Sequence, residues 1–312
     1  MRVLIALGGN AMTSPDGRAT PEDQAAAVRS ACERVAELVA AGTEVVITHG
    51  NGPQVGNLLV KNEIAADVVP PVPLDWCGAQ TQGTVGALVM DALEPALSRL
   101  GVGRRVATLV TRTLVDGDDP GFRRPTKPIG RYLPEAEARA LQAHGQVWEE
   151  RGERGWRRLV ASPEPLEVLD APAARVLVEA GMVVVAAGGG GVPTVRDVDG
   201  GLRGVEAVVD KDLAAVLLGR AVGADVLVVA TDVPHAVLAW GTAGARPVGR
   251  VTVADLRRYA DEGHFASGSM GPKVEAACRF VEQGGLHAVI TSLDRIAAAA
   301  AGQAGTVVVP DP

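Results

Sequence analysis

The chain has 312 residues, of which 47% are apolar, 3% aromatic and 38 glycine. This excludes a peptide, a disulfide scaffold or an aromatic stacking platform, and suits a Val/Ala/Leu-packed sheet with glycine turns at its strand ends. A formal charge of -7 and the lack of any basic run argue against a nucleic-acid or anionic-membrane surface, so small-molecule chemistry is the expectation.

In chain order, Val3–Leu7 is a continuous apolar run of buried-strand type that stops at Gly8-Gly9-Asn10. Thr20 as N-cap, Pro21 at the first helical position and Glu22 and Asp23 in the first turn then open a helix. Val28, Cys32, Val35 and Val39 form its apolar face and Gly42 its stop. A strand at Glu44–Thr48 completes a βαβ unit, which crosses over right-handedly onto a parallel sheet.

Strand-like runs recur at Val102–Val110, Met182–Ala187 and Asp225–Ala230, and helices fit Gly83–Leu100, Ala171–Ala180, Asp210–Ala221 and Gly271–Gln283. That alternation is the pattern of an open, doubly wound α/β sheet. Residues 112–165 break it: they are rich in Arg, Gly, Pro and Glu, carry Tyr132, Trp148 and Trp156, and lack a long apolar strand. A compact domain rarely keeps a structureless loop of that length, so a small excursion folded over the site is expected.

Four glycine-rich or polar turns directly follow strand-like runs: Gly8-Gly9-Asn10, His49 to Gly56, Gly188 to Gly191, and Thr231-Asp232-Val233. In an open parallel sheet these turns share the carboxyl edge, where bare backbone N–H groups and helix N-termini receive phosphate. The G-x-x-x-x-G-K-[ST] loop is absent, Gly50-Asn51-Gly52 does not continue as G-x-G-x-x-G, and there is no G-x-S-x-G elbow.

Only four of the 30 cationic residues are lysine: Lys61, Lys127, Lys211 and Lys273. Lys211 and Lys273 each fall at a helix start, where a cation is disfavoured by ~0.3–1 kcal/mol, and two such placements suggest an anion between them. Asp210, just before Lys211, reads as a helix N-cap, as a carboxylate holding Lys211 and Lys273, or as both. Lys127 sits between two prolines in Pro125-Thr126-Lys127-Pro128-Ile129-Gly130, whereas Lys61 reads as a surface helix residue. His49 and His264 lie in glycine-rich contexts, no His/Cys/carboxylate spacing indicates a built-in metal, and Cys77 has no activating histidine beside it. The odd cysteine count without CxxC spacing points to a reducing, cytoplasmic setting, and no apolar run reaches the ~18 residues of a membrane span.

Taken together, Gly8-Gly9-Asn10-Ala11, His49 to Gly56, Pro125 to Gly130, Val209-Asp210-Lys211-Asp212 and the long Gly263 to Ala277 motif resemble the carbamate kinase family of the amino acid kinase superfamily. The resemblance implies a three-layer α/β/α homodimer with a mainly parallel open sheet. It also implies a carbamate-binding lobe at 1–204 bearing a protruding subdomain at about 112–165, and a nucleotide-binding lobe at 205–312. It implies reversible phosphoryl transfer between MgATP and carbamate, giving ADP and carbamoyl phosphate, with Mg²⁺ arriving on the nucleotide phosphates. Gly8, Gly9 and Asn10 would line the transferring group, Gly50, Asn51 and Gly52 the carbamate, and Lys211 and Lys273 the phosphates. Asp210 would organise those two lysines, and Lys127 would reach in from the subdomain. Thr231, Asp232, Val233, Gly268, Ser269 and Met270, with Lys273, would meet the nucleotide.

One departure stands out: after Thr231-Asp232-Val233 the family shows Asp-Ala-Val-Tyr near its adenine site, and this chain has Pro234-His235-Ala236-Val237-Leu238. The alternatives are another acylphosphate-forming kinase of the superfamily and a non-catalytic nucleotide-binding sensor.

Overall fold

The computed structural model describes residues 1–9, 20–266 and 269–312. Its centre is an eight-stranded sheet. From one edge, its strands are Arg250–Thr252, Thr306–Val309, His287–Ser292, Val226–Thr231, Arg2–Leu7, Glu44–His49, Val183–Val185 and Val106–Thr108. All neighbours pair in parallel except His287–Ser292 with Thr306–Val309.

Because side chains alternate along a strand, Arg2–Leu7 feeds both faces of the sheet. Leu4 and Ala6 join the core under the helices Ala171–Glu179, Lys211–Val222 and Met270–Glu282. Val3, Ile5 and Leu7 join the opposite core, under Pro21–Ala40, Leu74–Arg99 and Ile296–Ala300. The result is the three-layer α/β/α sandwich, with continuous apolar strands buried on both sides.

Local signals explain the helix ends. The Thr20 hydroxyl accepts from the Asp23 amide at 3.2 Å, and the chain leaves the helix through Gly42 at φ 88°. The helix Leu74–Arg99 starts nine residues before the expected Gly83, running through Gly78, Gly83 and Gly86. Gly86 is required by packing: a Cβ there would stand 2.1 Å from the Thr108 methyl of the neighbouring strand.

Within 112–165, Arg112–Val115 and Pro165–Val168 belong to a second, four-stranded sheet with Val192–Arg196 and Leu202–Gly204. The excursion proper is the antiparallel sheet Lys127–Leu133, Trp156–Val160 and Val147–Glu150, with the helix Glu135–Ala143. Leu133, Ala138 and Trp148 give it a core of its own. Ile129 and Val160 fasten it to Val55, Leu59 and Leu74 of the main body. Among the described residues no helix is long and apolar enough to cross a membrane.

Candidate active site

A cleft of about 310 Å³ opens at the carboxyl edge of the parallel strands. Gly8 and Gly9 reach it at the end of Arg2–Leu7, Gly50, Asn51 and Gly52 at the end of Glu44–His49, and Thr231 and Asp232 at the end of Val226–Thr231. The helices Gly52–Ala65, Lys211–Val222 and Met270–Glu282 point their N-termini into the same space. Such ends present unpaired N–H groups and partial positive charge, the surroundings a phosphate needs.

The two glycine turns are pressed together. A Cβ on Gly50 would lie 2.7 Å from the Gly9 nitrogen and 2.8 Å from its Cα, so only glycine lets both turns form one floor. Asn51 does not cap its helix; its amide nitrogen donates to Thr81 Oγ1 at 2.8 Å, and that hydroxyl donates to the Gly78 carbonyl at 2.7 Å. Thr81 thus fixes the Asn51 side chain, a role with no local signature because the two residues are 30 apart in sequence.

Three lysines converge on the cleft with two carboxylates. Asp212 is the bridge between the helices: Lys211 Nζ and Lys273 Nζ both donate to it, the latter at 3.0 Å. Its side chain is 4% exposed, against 12% for Lys211 and 15% for Lys273. Asp210 does something else. One oxygen caps the helix by accepting from the Asp212 amide at 2.9 Å, and the other accepts from Lys127 Nζ at 2.8 Å. The carboxylate that organises Lys211 and Lys273 is therefore Asp212, correcting the expectation for Asp210. At the first helical turn the Asp210 side chain folds back on the backbone, whereas Asp212 faces the neighbouring helix.

Burial pushes the Asp212 carboxyl up, but the two ammonium groups outweigh it and hold it at about 2. Burial pulls Lys211 below the ordinary lysine range, opposed by Asp212 and reinforced by Lys273. The cluster carries three ammonium groups and two carboxylates, a net positive charge aimed where an anion would sit.

His49 is wholly buried, and desolvation takes it down to about 4. Its Nδ1–H donates to the Gly50 carbonyl at 2.8 Å, so the neutral ring props the glycine turn. Burial likewise raises the Cys77 thiol, which donates to the Val72 carbonyl at 3.6 Å. Neither group is arranged for nucleophilic or acid–base work.

The amino acid kinase family model matches residues 1–292. The chain belongs to the amino acid kinase family. Within that family it is similar over its length to particular members. It is 48% identical to the carbamate kinase of Thermococcus kodakarensis and 45% identical to that of Pyrococcus furiosus, each comparison covering 99% of both chains. The structure of the Giardia lamblia carbamate kinase bound to AMP-PNP superposes with a TM-score of 0.93 at 38% identity, covering 99% of this chain and 98% of the other.

In this amino acid kinase family member the cleft gathers Gly8, Gly9, Gly50, Asn51, Gly52, Lys127, Asp210, Lys211, Thr231, Asp232, Ser269 and Lys273 from the sequence-derived set. Val233 and Met270 do not line it; Met270 packs against the apolar core. Asn10 and Gly268 lie outside the described residues. Of the Gly188 to Gly191 run only Gly189 faces the cleft. The others are packed under His49, Val209 and Thr113, where a Cβ would come within 2.3, 2.4 and 2.2 Å respectively. Lys61 is exposed on Gly52–Ala65, as its sequence context suggested. In the departing segment, Ala236 is buried with its amide on Thr306 Oγ1 at 2.9 Å, and Val237–Leu238 pairs with Arg246–Pro247; neither lines the cleft.

Proposed function

We propose that the protein is a carbamate kinase, transferring the terminal phosphoryl group of ATP to carbamate and running in reverse from carbamoyl phosphate and ADP. The observation that carries this reading is the Lys127, Lys211, Lys273 cluster, held by Asp210 and Asp212 over the Gly8-Gly9 and Gly50-Asn51-Gly52 floor.

In the forward direction a carbamate oxygen bonds to the γ-phosphorus while the bond to the β-γ bridging oxygen breaks, and ADP leaves with that electron pair. The attacking oxygen is already anionic, so no general base is needed; positioning and charge neutralisation carry the rate. Lys211 and Lys273 take up charge on the transferring group, and Asp212 keeps their ammonium groups apart and aimed. Lys127 arrives on the strand Lys127–Leu133, coupling the subdomain to the reacting centre.

Mg²⁺ supplies further neutralisation of the nucleotide phosphates when bound. In the cleft Asp210 and Asp212 are each engaged by lysine, which fits a cation carried chiefly on phosphate oxygens, with Asp232 the cleft-lining carboxylate without a lysine partner among the described residues. Residues 1–204 serve as the carbamate lobe and 205–312 as the nucleotide lobe, in a cytoplasmic homodimer. The test is ADP release from MgATP by purified protein: release that depends on carbamate supports the reading, and release that is absent or indifferent to carbamate refutes it.

A further inference from the structure

Beside the lysine cleft lies a smaller recess of about 60 Å³, sharing Asn51, Gly52, Pro128, Ile129, Gly189 and Val208 with it. Its other walls are mainly apolar, including Val55, Leu74 and Pro193, and the one charged residue lining it among the described residues is Arg157. Arg157 is delivered by the subdomain strand Trp156–Val160. One terminal nitrogen donates to the Tyr132 hydroxyl at 3.3 Å, and the guanidinium carbon stands 5.0 Å from the Tyr132 ring centroid. Its Nε is buried and meets no acceptor among the described residues.

A buried N–H without an acceptor costs about 1–3 kcal/mol, more for a charged group, so such a donor is a strong clue to a missing partner. A guanidinium matches carboxylate and phosphate geometry alike, and a recess this small suits the planar carboxylate. The recess exceeds the ~10–15 Å³ that one water requires, which suits a planar anion of a few heavy atoms. Its apolar walls offer nothing to the α-ammonium group of an amino acid, whose burial there would go uncompensated.

We propose that Arg157 is the specificity-determining residue of the acceptor site: its Nε–H donates to one carboxylate oxygen of carbamate held against Asn51, Gly52 and Gly189. The anion's other oxygen then faces the lysines. This rests on the carbamate kinase reading and adds the reason that the acceptor is small and lacks a cationic group. It also makes substrate binding depend on the subdomain that carries both Arg157 and Lys127.

Steady-state ATP formation by the full-length protein tests it. Arg157→Lys and Arg157→Ala, checked for wild-type melting, are expected to raise KM for carbamoyl phosphate by roughly tenfold or more, while KM for ADP stays within about twofold. An unchanged KM for carbamoyl phosphate, or KM for ADP rising in step, overturns the proposal. A second measurement needs no active-site variant: in ¹⁵N-arginine-labelled wild-type protein the Arg157 Nε–H resonance should move on adding carbamoyl phosphate and stay put on adding ADP. A resonance indifferent to carbamoyl phosphate overturns the proposal even where the variants fail to fold. If wild-type protein forms no ATP, the kinase reading falls, and the resonance still decides the role of Arg157.

Discussion

Replacing Asp212 by Asn keeps the shape of the side chain and removes the charge that two buried lysines share. With Asp212 only 4% exposed and its partners 12% and 15% exposed, Asp212→Asn leaves two ammonium groups facing one neutral amide, whose NH₂ end repels one of them. Breaking a buried ion pair from one side costs about 3–5 kcal/mol. At a urea m-value of about 3 kcal/mol/M, the upper end for small proteins, the midpoint should fall by about 1 M or more. Asp210→Asn serves as the comparison: Asn is as good an N-cap as Asp, and the lost partner, Lys127, is 35% exposed, so the change should stay under about 1 kcal/mol. Sulfate should restore the Asp212→Asn protein more than it stabilises wild type, because it supplies the anion the lysines have lost. Urea titrations of the three proteins, with and without sulfate, and turnover of each provide the readout. Equal midpoints for Asp212→Asn and wild type, or a larger loss in Asp210→Asn, would refute the bridging role of Asp212.

Lys211→Arg and Lys273→Arg should each fold and lose turnover by about 10²-fold, since a planar fork cannot sit where a point charge meets Asp212, and a displacement of about 1 Å suffices for such a loss; wild-type rates in either would contradict their role. Gly50→Ala puts a methyl within 2.7 Å of the Gly9 backbone, so the cleft floor must open; initial-rate kinetics should show turnover falling by a similar factor, and stability should fall by about 1–3 kcal/mol because the clash is with backbone. For His49, lowered from 6.5 to about 4, the unfolded chain binds the proton first as pH falls. Stability is thus fully present above about pH 6.5 and declines toward pH 4, by about 3 kcal/mol at 1.36 kcal/mol per unit. Urea midpoints across that range should flatten in His49→Gln.

Legibility from the sequence followed the range of the interactions. Apolar runs ending at glycines marked the parallel strands and their carboxyl-edge turns, because strand burial and turn geometry are written within a few neighbours. In sequence the Leu74–Arg99 helix looks short because its glycines resemble turn signals, and Gly86 is explained only by Thr108 on another element. The subdomain strands carry no apolar run in sequence, because they are short and alternate charged residues with Trp156, Trp148 and Tyr132. Asp210 and Asp212 look equivalent on either side of Lys211; which one meets Lys273, 61 residues beyond Asp212, is set by the packing of two helices.

The most direct measurement is ATP formation by the purified protein from carbamoyl phosphate and MgADP, coupled to a luminescent readout. ATP should appear with carbamoyl phosphate and fail to appear with an amino-acid acylphosphate in its place. No ATP from carbamoyl phosphate, or faster formation from a larger acylphosphate, would contradict a carbamate kinase.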